Sequence, residues 1–210
     1  MRRTRQQAMV TRQNILDAAV QVFLKHGFQR SAMQDVANHA GVTRGAVYWH
    51  FRNQLEVLEA LLDVTQLPWQ VMQPLPRPLL GSTPLAPLRQ ALIRMATAPL
   101  ICLEGSVAAQ QLMRIMGEVN QPDSSARLGA RLAVRLEADR AAGLLCLQMA
   151  LAQTAASGAL RPGTEPATAA LGLFVLVDGL MHQWLRQPTA FGLTEVGTQA
   201  VQSHLAGLLL

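Results

Sequence analysis

Apolar residues recur at helical spacing along this chain, and the alternating pattern of half-buried strands is missing from it. In the first apolar stripe, Ile15, Ala18, Ala19, Val22 and Phe23 occupy positions i, i+3, i+4, i+7 and i+8, which share one face of an α-helix. Alanine, leucine, glutamine and arginine, which favour helices, are abundant throughout. The pattern therefore predicts an all-α protein.

After the first stripe, glycines and capping residues divide the chain into short helices. Gly27 is expected to end the first helix, and Ser31 with Gln34 three positions later predicts a capping box at the start of the second. Gly41 supplies the positive φ of a tight interhelical turn, and Thr43 caps a third helix. Two short helices joined by a glycine turn have the form of a helix-turn-helix, whose second helix enters the DNA major groove.

The remaining pattern predicts longer helices. Asn53 and Glu56 form a cap pair for a fourth helix, and alternating prolines predict an extended loop at about 74–84. Further helices are expected at about 85–103, 105–118, 124–156, 165–187 and 193–209. We therefore predict a three-helix DNA-binding domain at 1–54 and a larger helical domain for ligand binding and dimerisation at 55–210.

Charge is distributed unevenly between these parts. Residues 1–55 carry eight arginines and lysines against two carboxylates, a net charge of +6, whereas residues 56–210 carry ten arginines against eleven carboxylates, a net charge of −1. This asymmetry indicates a polyanionic partner for the N-terminal part alone. Arg2, Arg3 and Arg5 form either an arm along the DNA backbone or a disordered tail.

Several functional classes are disfavoured by the sequence. It contains no phosphate-binding loop, zinc-protease motif or nucleophile elbow, so we expect no enzyme activity, no cofactor and no metal. Cys102 and Cys146 lie in apolar helical stretches without C-x-x-C spacing, which favours two buried thiols and a reducing cytoplasm. No secretory signal follows the N-terminus, and apolar runs end well short of ~18 residues, so no membrane partner is expected.

The third predicted helix carries side chains suited to DNA. Arg44 is a candidate for a bidentate contact to guanine, and Gly45 allows the backbone to approach the DNA closely. Thr43 and the helix N-terminus favour a phosphate. The candidate DNA-binding residues are Ser31, Thr43, Arg44, Gly45, Tyr48, Trp49, His50 and Arg52. The alternative is that such side chains belong to the core or to a solvated surface, and we favour the core for Phe51.

The segment from Gly41 to Phe51, GVTRGAVYWHF, resembles the DNA-binding signature of the TetR family of bacterial transcriptional regulators, and helix order and chain length also match that family. The family usually has a phosphate-binding lysine at the position of Gln54. Either Arg52 replaces this contact, or its loss flattens the log–log salt slope by about 0.9. The segment DGLMHQWL at 178–185 is similar to the C-terminal domain of AcrR-type members, which are local repressors of multidrug efflux pump operons.

This resemblance implies an effector cavity in the larger domain. Its methionines are flexible and polarizable enough to accommodate varied ligands, although each one taken singly fits an ordinary core. The candidate ligand-binding residues are Trp69, Met72, Met95, Met113, Met116 and Met149. The carboxylates Glu104, Glu118 and Asp178 lie in apolar sequence and either face a cationic ligand or, as we favour, cap a helix or contact solvent.

Two apolar stripes on the last helices predict a four-helix interface between two subunits, with burial inside one chain as the alternative. The candidate dimer residues are Leu173, Leu176, Val177, Leu180, Trp184, Val201, Leu205 and Leu208.

The sequence thus predicts a cytoplasmic, homodimeric repressor of a multidrug efflux operon. It would bind palindromic double-stranded operator DNA and be released by small hydrophobic or cationic compounds. The alternative is a TetR-type regulator without a drug ligand, whose large domain serves dimerisation or partner binding, or an activator.

Overall fold

The computed structural model describes residues 2–75, 85–119 and 128–210, with side chains over 5–75, 85–117 and 132–210. These ranges contain nine α-helices, a 3-10 turn and no strand, which confirms the all-α prediction. The helices are α1 (Arg2–His26), α2 (Met33–Ala40), α3 (Arg44–His50), α4 (Gln54–Val64), α5 (Leu85–Gly105), α6 (Val107–Val119), α7 (Leu128–Ala156), α8 (Pro166–Arg186) and α9 (Leu193–Leu208). The 3-10 turn spans Pro68–Val71. Most of the loop predicted at 74–84 lies outside the described residues.

The chain divides into two compact units. Unit 1 comprises Met1–Gln66 and Ala108–Val134, and unit 2 comprises Leu67–Val107 and Arg135–Leu210. The predicted boundary at residue 54 falls inside unit 1, between α3 and α4. The division into domains at that point stays a prediction.

Unit 1 is organised around α1, which packs against α2, α3 and α4. The apolar stripe predicted for this helix is buried throughout, and the Phe23 ring meets the Phe28 ring edge-on, with centroids 5.0 Å apart. The backbone of α1 is helical from Arg2 onward. The backbone of Arg2, Arg3 and Arg5 therefore continues the first helix, and contact of these arginines with the DNA backbone stays a prediction.

The turns of unit 1 follow the sequence prediction with one exception. Gly27 and Gly41 have φ values of 81° and 66°, as expected of glycines that end helices. The exception is the capping box of α2. Ala32 is the N-cap, and its backbone N–H donates to the Asp35 carboxylate at 2.8 Å. The predicted box is wrong because the Ser31 hydroxyl donates to the Gly27 carbonyl instead, at 2.7 Å.

Unit 2 is built on α5, α8 and α9, which pack against one another. Gly197 of α9 lies so close to Leu100 of α5 that a Cβ at this position would overlap the leucine side chain. By length and composition α8 is long and apolar enough to cross a membrane, as is the bent pair of α5 and the first part of α6 if taken as one span. In unit 2, however, α8 buries seven residues and packs on α5 and α9, which is the behaviour of a core helix.

Glu104, near the end of α5, caps the start of α9. Its carboxylate accepts hydrogen bonds from the backbone N–H groups of Leu193 and Thr194, at 2.7 and 3.1 Å. A side-chain hydrogen bond from Thr194 lowers the pKa of Glu104 most, and the backbone bonds lower it further against the opposing effect of burial. The predicted capping role of this carboxylate is confirmed.

Replacing Glu104 with glutamine is expected to lower the free energy of unfolding by about 1 kcal/mol, the usual effect of losing a helix cap. Because folding lowers the pKa, this stability is present above the ordinary value of 4.5 and is lost as the pH falls through the lower folded value. Urea unfolding should therefore separate variant and wild type at neutral pH but not in acid. Glu195→Gln, an exposed change in the first turn of α9, is the control. Equal losses in both variants would contradict the capping account.

Candidate nucleic-acid interface

Helix α3 is held in unit 1 by one side and leaves the other side open. Val47 is fully buried and Phe51, directly after the helix, is buried too, as expected for a core residue. The Thr43 hydroxyl accepts the backbone N–H of Ala46 at 3.1 Å, which fixes the start of the helix. Asn53 caps α4 in the same way, by accepting from the N–H of Glu56 at 3.0 Å. Both predicted caps are confirmed, so the frame that presents α3 is well defined.

The open side of α3 carries Arg44, Tyr48 and Trp49. Tyr48 is 43% exposed and Trp49 is 74% exposed, although both are large aromatic residues. The guanidinium of Arg44 lies 5.3 Å from the centre of the Tyr48 ring, a cation–π contact between neighbours one helical turn apart. This contact preorients the arginine without burying it. The arrangement offers a cation and two aromatic surfaces to a partner outside the chain.

His50 lies between this open side and the core. Its ring meets the Trp49 ring edge-on, with centroids 4.6 Å apart. Burial lowers the pKa of His50, and the positive charge of Arg12 lowers it further. Arg12 itself packs over the Phe51 ring at 5.1 Å. Both effects favour the neutral imidazole, which can donate one hydrogen bond and accept another.

Gly45 has free space where a side chain would stand. A Cβ built there would find only the Thr43 hydroxyl, at 3.9 Å. The fold of the free chain therefore does not need a glycine at this position. The glycine leaves the first turn of α3 open to close approach by another molecule.

Ser31, Gln54 and Arg52, the remaining residues considered at this surface, differ in how far they are exposed. Ser31 is buried and its hydroxyl is bonded to the Gly27 carbonyl, so it is not available to DNA and we correct its assignment. Gln54 is half-buried, and its side-chain amide donates to the Ser31 carbonyl. Arg52 is well exposed, with its Nε 3.8 Å from the Glu56 carboxylate. Arg52 is thus the cation nearest in sequence to the position where a lysine was expected.

The predicted ligand-binding residues are divided between the two units. Met113 and Met116 belong to unit 1, and Trp69, Met72 and Met95 are buried in unit 2. Met149 is 45% exposed, which does not fit the lining of an enclosed cavity in the single chain and corrects the prediction for this residue.

Trp69 is surrounded by residues that sequence reasoning missed. Its ring stacks on Phe174 of α8, with centroids 4.3 Å apart, and Gly143 of α7 lies against its Cε3 edge. Arg140 of α7 packs over Phe174 at 5.2 Å and forms an ion pair with Asp178 of α8. Phe174 adjoins a predicted apolar stripe, but Arg140 and Gly143 give no signal in the sequence that would link them to Trp69.

The predicted dimer residues are mostly used inside the chain. Five of them are buried in the single chain, which corrects their assignment as direct partner contacts: Leu173, Val177, Trp184, Val201 and Leu205. Leu176, Leu180 and Leu208 are half-buried. A different face of α8, which carries Leu171, Val175, Gly179 and His182 at intervals of four, four and three residues, is exposed.

Comparison with known proteins decides the family. Residues 15–61 match the model of the bacterial regulatory proteins, tetR family. The HTH-type transcriptional regulator TtgR of Pseudomonas putida is 30% identical over 203 residues, which cover 92% of this chain and 89% of TtgR. The chain belongs to the TetR family. It is therefore a DNA-binding transcriptional regulator and not an enzyme, as the sequence predicted.

Two further TetR-family regulators are similar over nearly the whole chain. The HTH-type transcriptional regulator AcrR of Shigella flexneri is 28% identical over 222 residues, covering 100% of this chain and 94% of AcrR. The structure of a SmeT–triclosan complex is 30% identical, with a TM-score of 0.70, and the match covers 96% of this chain and 92% of SmeT. SmeT is the repressor of the Stenotrophomonas maltophilia multidrug efflux pump SmeDEF. These relatives confirm the resemblance to AcrR-type members.

Replacing Gln54 with lysine is expected to add one phosphate contact to a TetR-type interface. The log–log slope of DNA affinity against salt concentration should become steeper by about 0.9, the counterion-release value for one phosphate. Gln54→Met, which removes the amide without adding charge, is the control and should leave the slope unchanged. Equal slopes for all three proteins, measured from low to physiological salt, would show that residue 54 does not face a phosphate.

Proposed function

We propose that this protein is a homodimeric repressor of a multidrug efflux operon, released from its operator in the cytoplasm by a small-molecule effector. The observation that carries the proposal is the open side of α3, where Arg44, Tyr48 and Trp49 are exposed on a helix anchored by buried Val47. It occurs in a chain related to TtgR, AcrR and SmeT along nearly its whole length.

Each proposed DNA contact follows from the chemistry of a side chain at the start or on the open side of α3. Arg44 donates two hydrogen bonds to a guanine edge, which discriminates among base pairs. Tyr48 and Trp49 contact the sugar–phosphate backbone or a thymine methyl, and the neutral His50 donates to a phosphate oxygen. Gly45 lets the helix approach the groove. Thr43 and Arg52 contribute to phosphate binding at the edges of this surface.

The proposed dimer uses the exposed face of α8 that carries Leu171, Val175, Gly179 and His182. Gly179 has no neighbour within 4 Å of the position of a Cβ, so a second helix can approach closely there. A two-fold axis through this face repeats the same contacts on both subunits. The two copies of α3 would then read half-sites of a palindrome, with centres roughly 34–36 Å apart for adjacent major grooves or further for longer operators.

We place the effector in unit 2, near Trp69. The structure of SmeT, a relative over most of the chain, is that of a complex with triclosan. To release the operator, an effector must prefer the conformation that does not fit DNA, by about 1–3 kcal/mol or more. The cluster of Trp69, Phe174, Arg140 and Asp178 supports this placement because it links the buried tryptophan to α8, the helix of the proposed dimer face.

Deleting the gene tests the regulatory part of the proposal. Transcripts of a neighbouring efflux operon should rise in the deletion strain and return to the original level when the wild-type gene is restored. Restoring an Arg44→Ala variant should not repress, which separates an effect of DNA binding from other effects of the protein. A fall in the transcripts would favour the activator alternative, and unchanged transcripts would contradict regulation of that operon.

A further inference from the structure

Unit 2 contains buried polar atoms that have no hydrogen-bond partner among the described residues. They are the indole Nε1 of Trp69, the Nε of Arg89 and the Nε2 of His204. The first two carry N–H groups that can only donate, and folded proteins leave few such donors unpaired. Trp69 is the most deeply buried of the three residues, at 5% exposure. At least two of the three unpaired atoms are donors, so what they lack is a hydrogen-bond acceptor.

The surroundings of Trp69 hold its ring firmly while leaving the donor without an acceptor. One face stacks on Phe174, with an angle of 23° between the ring planes. A Cβ on Gly143 would lie 2.7 Å from Cε3, which is on the opposite edge of the indole from Nε1. Packing therefore fixes the stacked face and the Cε3 edge of the ring, and the edge that carries the N–H meets no acceptor in the described part of the chain.

Three carboxylates of unit 2, those of Asp178, Glu104 and Asp139, already bind other groups of the chain. Asp178 binds the Arg140 guanidinium and lies 3.4 Å from the His182 ring, and Glu104 caps α9. Asp139 accepts from the Gln70 side chain at 2.8 Å. The guanidinium of Arg140, which packs over Phe174, is itself paired with the carboxylates of Asp178 and Glu137. The described charges beside the aromatic stack are thus already paired with one another, and a cationic ligand buried there would lack a free carboxylate as its partner.

From these observations we propose that the effector is an uncharged aromatic compound with a hydrogen-bond acceptor, and that the acceptor binds the indole N–H of Trp69. The proposal rests on the effector site proposed above and narrows its ligand class, because the sequence had left hydrophobic and cationic compounds open. An aromatic ligand extends the apolar surroundings of the tryptophan, and its carbonyl, ether or hydroxyl oxygen satisfies the buried donor.

A pair of probes that differ only in the acceptor tests this inference. Benzophenone has a carbonyl where diphenylmethane has a methylene, and their binding to the full-length protein without DNA is measured by calorimetry. We expect wild type to bind benzophenone about tenfold more tightly, the effect of one hydrogen bond to a donor that is otherwise unpaired. In Trp69→Phe, which keeps an aromatic ring but removes the N–H, the preference should disappear.

Trp184→Phe is the matched control, because the Trp184 N–H already donates to the Phe191 carbonyl at 3.2 Å. This variant should keep the tenfold preference. The thermal midpoint of Trp69→Phe should not fall more than that of Trp184→Phe, because the phenylalanine removes an unpaired donor. If Trp69→Phe does not fold, the two affinities of the wild type still decide the need for an acceptor.

Equal affinities for the two probes, or a preference that survives in Trp69→Phe, would overturn the inference. So would binding of the cation tetraphenylphosphonium in the absence of benzophenone binding. These results are distinct from failure of the proposed function, which would appear as absence of operator binding or as an operator complex that no ligand releases.

Discussion

Arg44→Ala is expected to weaken specific operator binding by about 5- to 150-fold, which corresponds to ~1–3 kcal/mol for one lost bidentate base contact. The variant should lose the ability to distinguish the operator from other sequences, so its affinity for the operator should approach its affinity for scrambled DNA of the same length. Arg44 is exposed, and its described contact is with the exposed Tyr48 ring. The thermal midpoint of the variant should therefore equal that of wild type.

Tyr48→Ala is the companion to Arg44→Ala. Because Tyr48 is proposed to contact the backbone or a methyl group, its loss should weaken operator and scrambled DNA more evenly. Titrations of both variants on both DNAs at one salt concentration distinguish these roles. If both proteins bound the operator like wild type, α3 would not be the helix that contacts the bases.

Val175→Arg is expected to separate the proposed dimer. Val175 is 57% exposed in the single chain and lies in the middle of the exposed α8 face. In a two-fold interface each substitution is repeated, so two unpaired positive charges would be buried near the axis. An uncompensated buried charge costs about 3–5 kcal/mol, so the dimer dissociation constant should rise by more than about a hundredfold. Analytical ultracentrifugation measures this constant directly.

Val134→Arg provides the matched control, because Val134 is also an exposed helical valine, at 70% exposure, but lies in α7 within unit 1. This variant should sediment like wild type. Val175→Arg should also lose tight operator binding, since one subunit contacts one half-site only. A Val175→Arg protein that stays dimeric would place the subunit interface on another surface.

Local signals were sufficient for most of the helix boundaries. Gly41, Thr43 and Asn53 act through their own backbone or through residues three positions away, and such short-range chemistry can be predicted from sequence. The predicted N-cap of α2, Ser31, was wrong by one residue, because two local caps were possible. Ser31 and Asp35 were both able to cap, and the choice depended on the Gly27 carbonyl, whose position is set by the preceding turn.

The apolar stripe of α8 shows where the limit of periodicity lies. The stripe correctly predicts which residues become buried, but it does not show whether α5, α9 or a second subunit covers them. Helix α8 also has apolar residues outside the stripe, such as Leu171 and Val175, and these are the exposed ones. Tertiary packing therefore decides which apolar face remains for a partner.

The cluster around Trp69 was inaccessible to sequence reasoning for a different reason. Arg140 and Asp178 lie 38 residues apart on separate helices, and no local pattern relates them. Gly143 matters only because the Trp69 ring packs against it. The methionines proposed as ligand-binding residues do not form one group in the structure. Some lie in unit 1 and others in unit 2, and Met149 is exposed. The family resemblance implied a cavity and the sequence already proposed Trp69 for it, but only packing shows which residues surround the tryptophan.

The central claim is that an effector bound in unit 2 releases α3 from its operator. Fluorescence anisotropy tests it on labelled DNA from immediately upstream of the gene, with scrambled competitor, at physiological salt. Triclosan and benzophenone are then titrated, each separately, into the preformed complex of the protein with this DNA. We predict specific binding by wild type, release by at least one of these compounds, and weaker release in Trp69→Phe. Specific binding that persists when calorimetry shows the compound bound would contradict ligand-controlled repression.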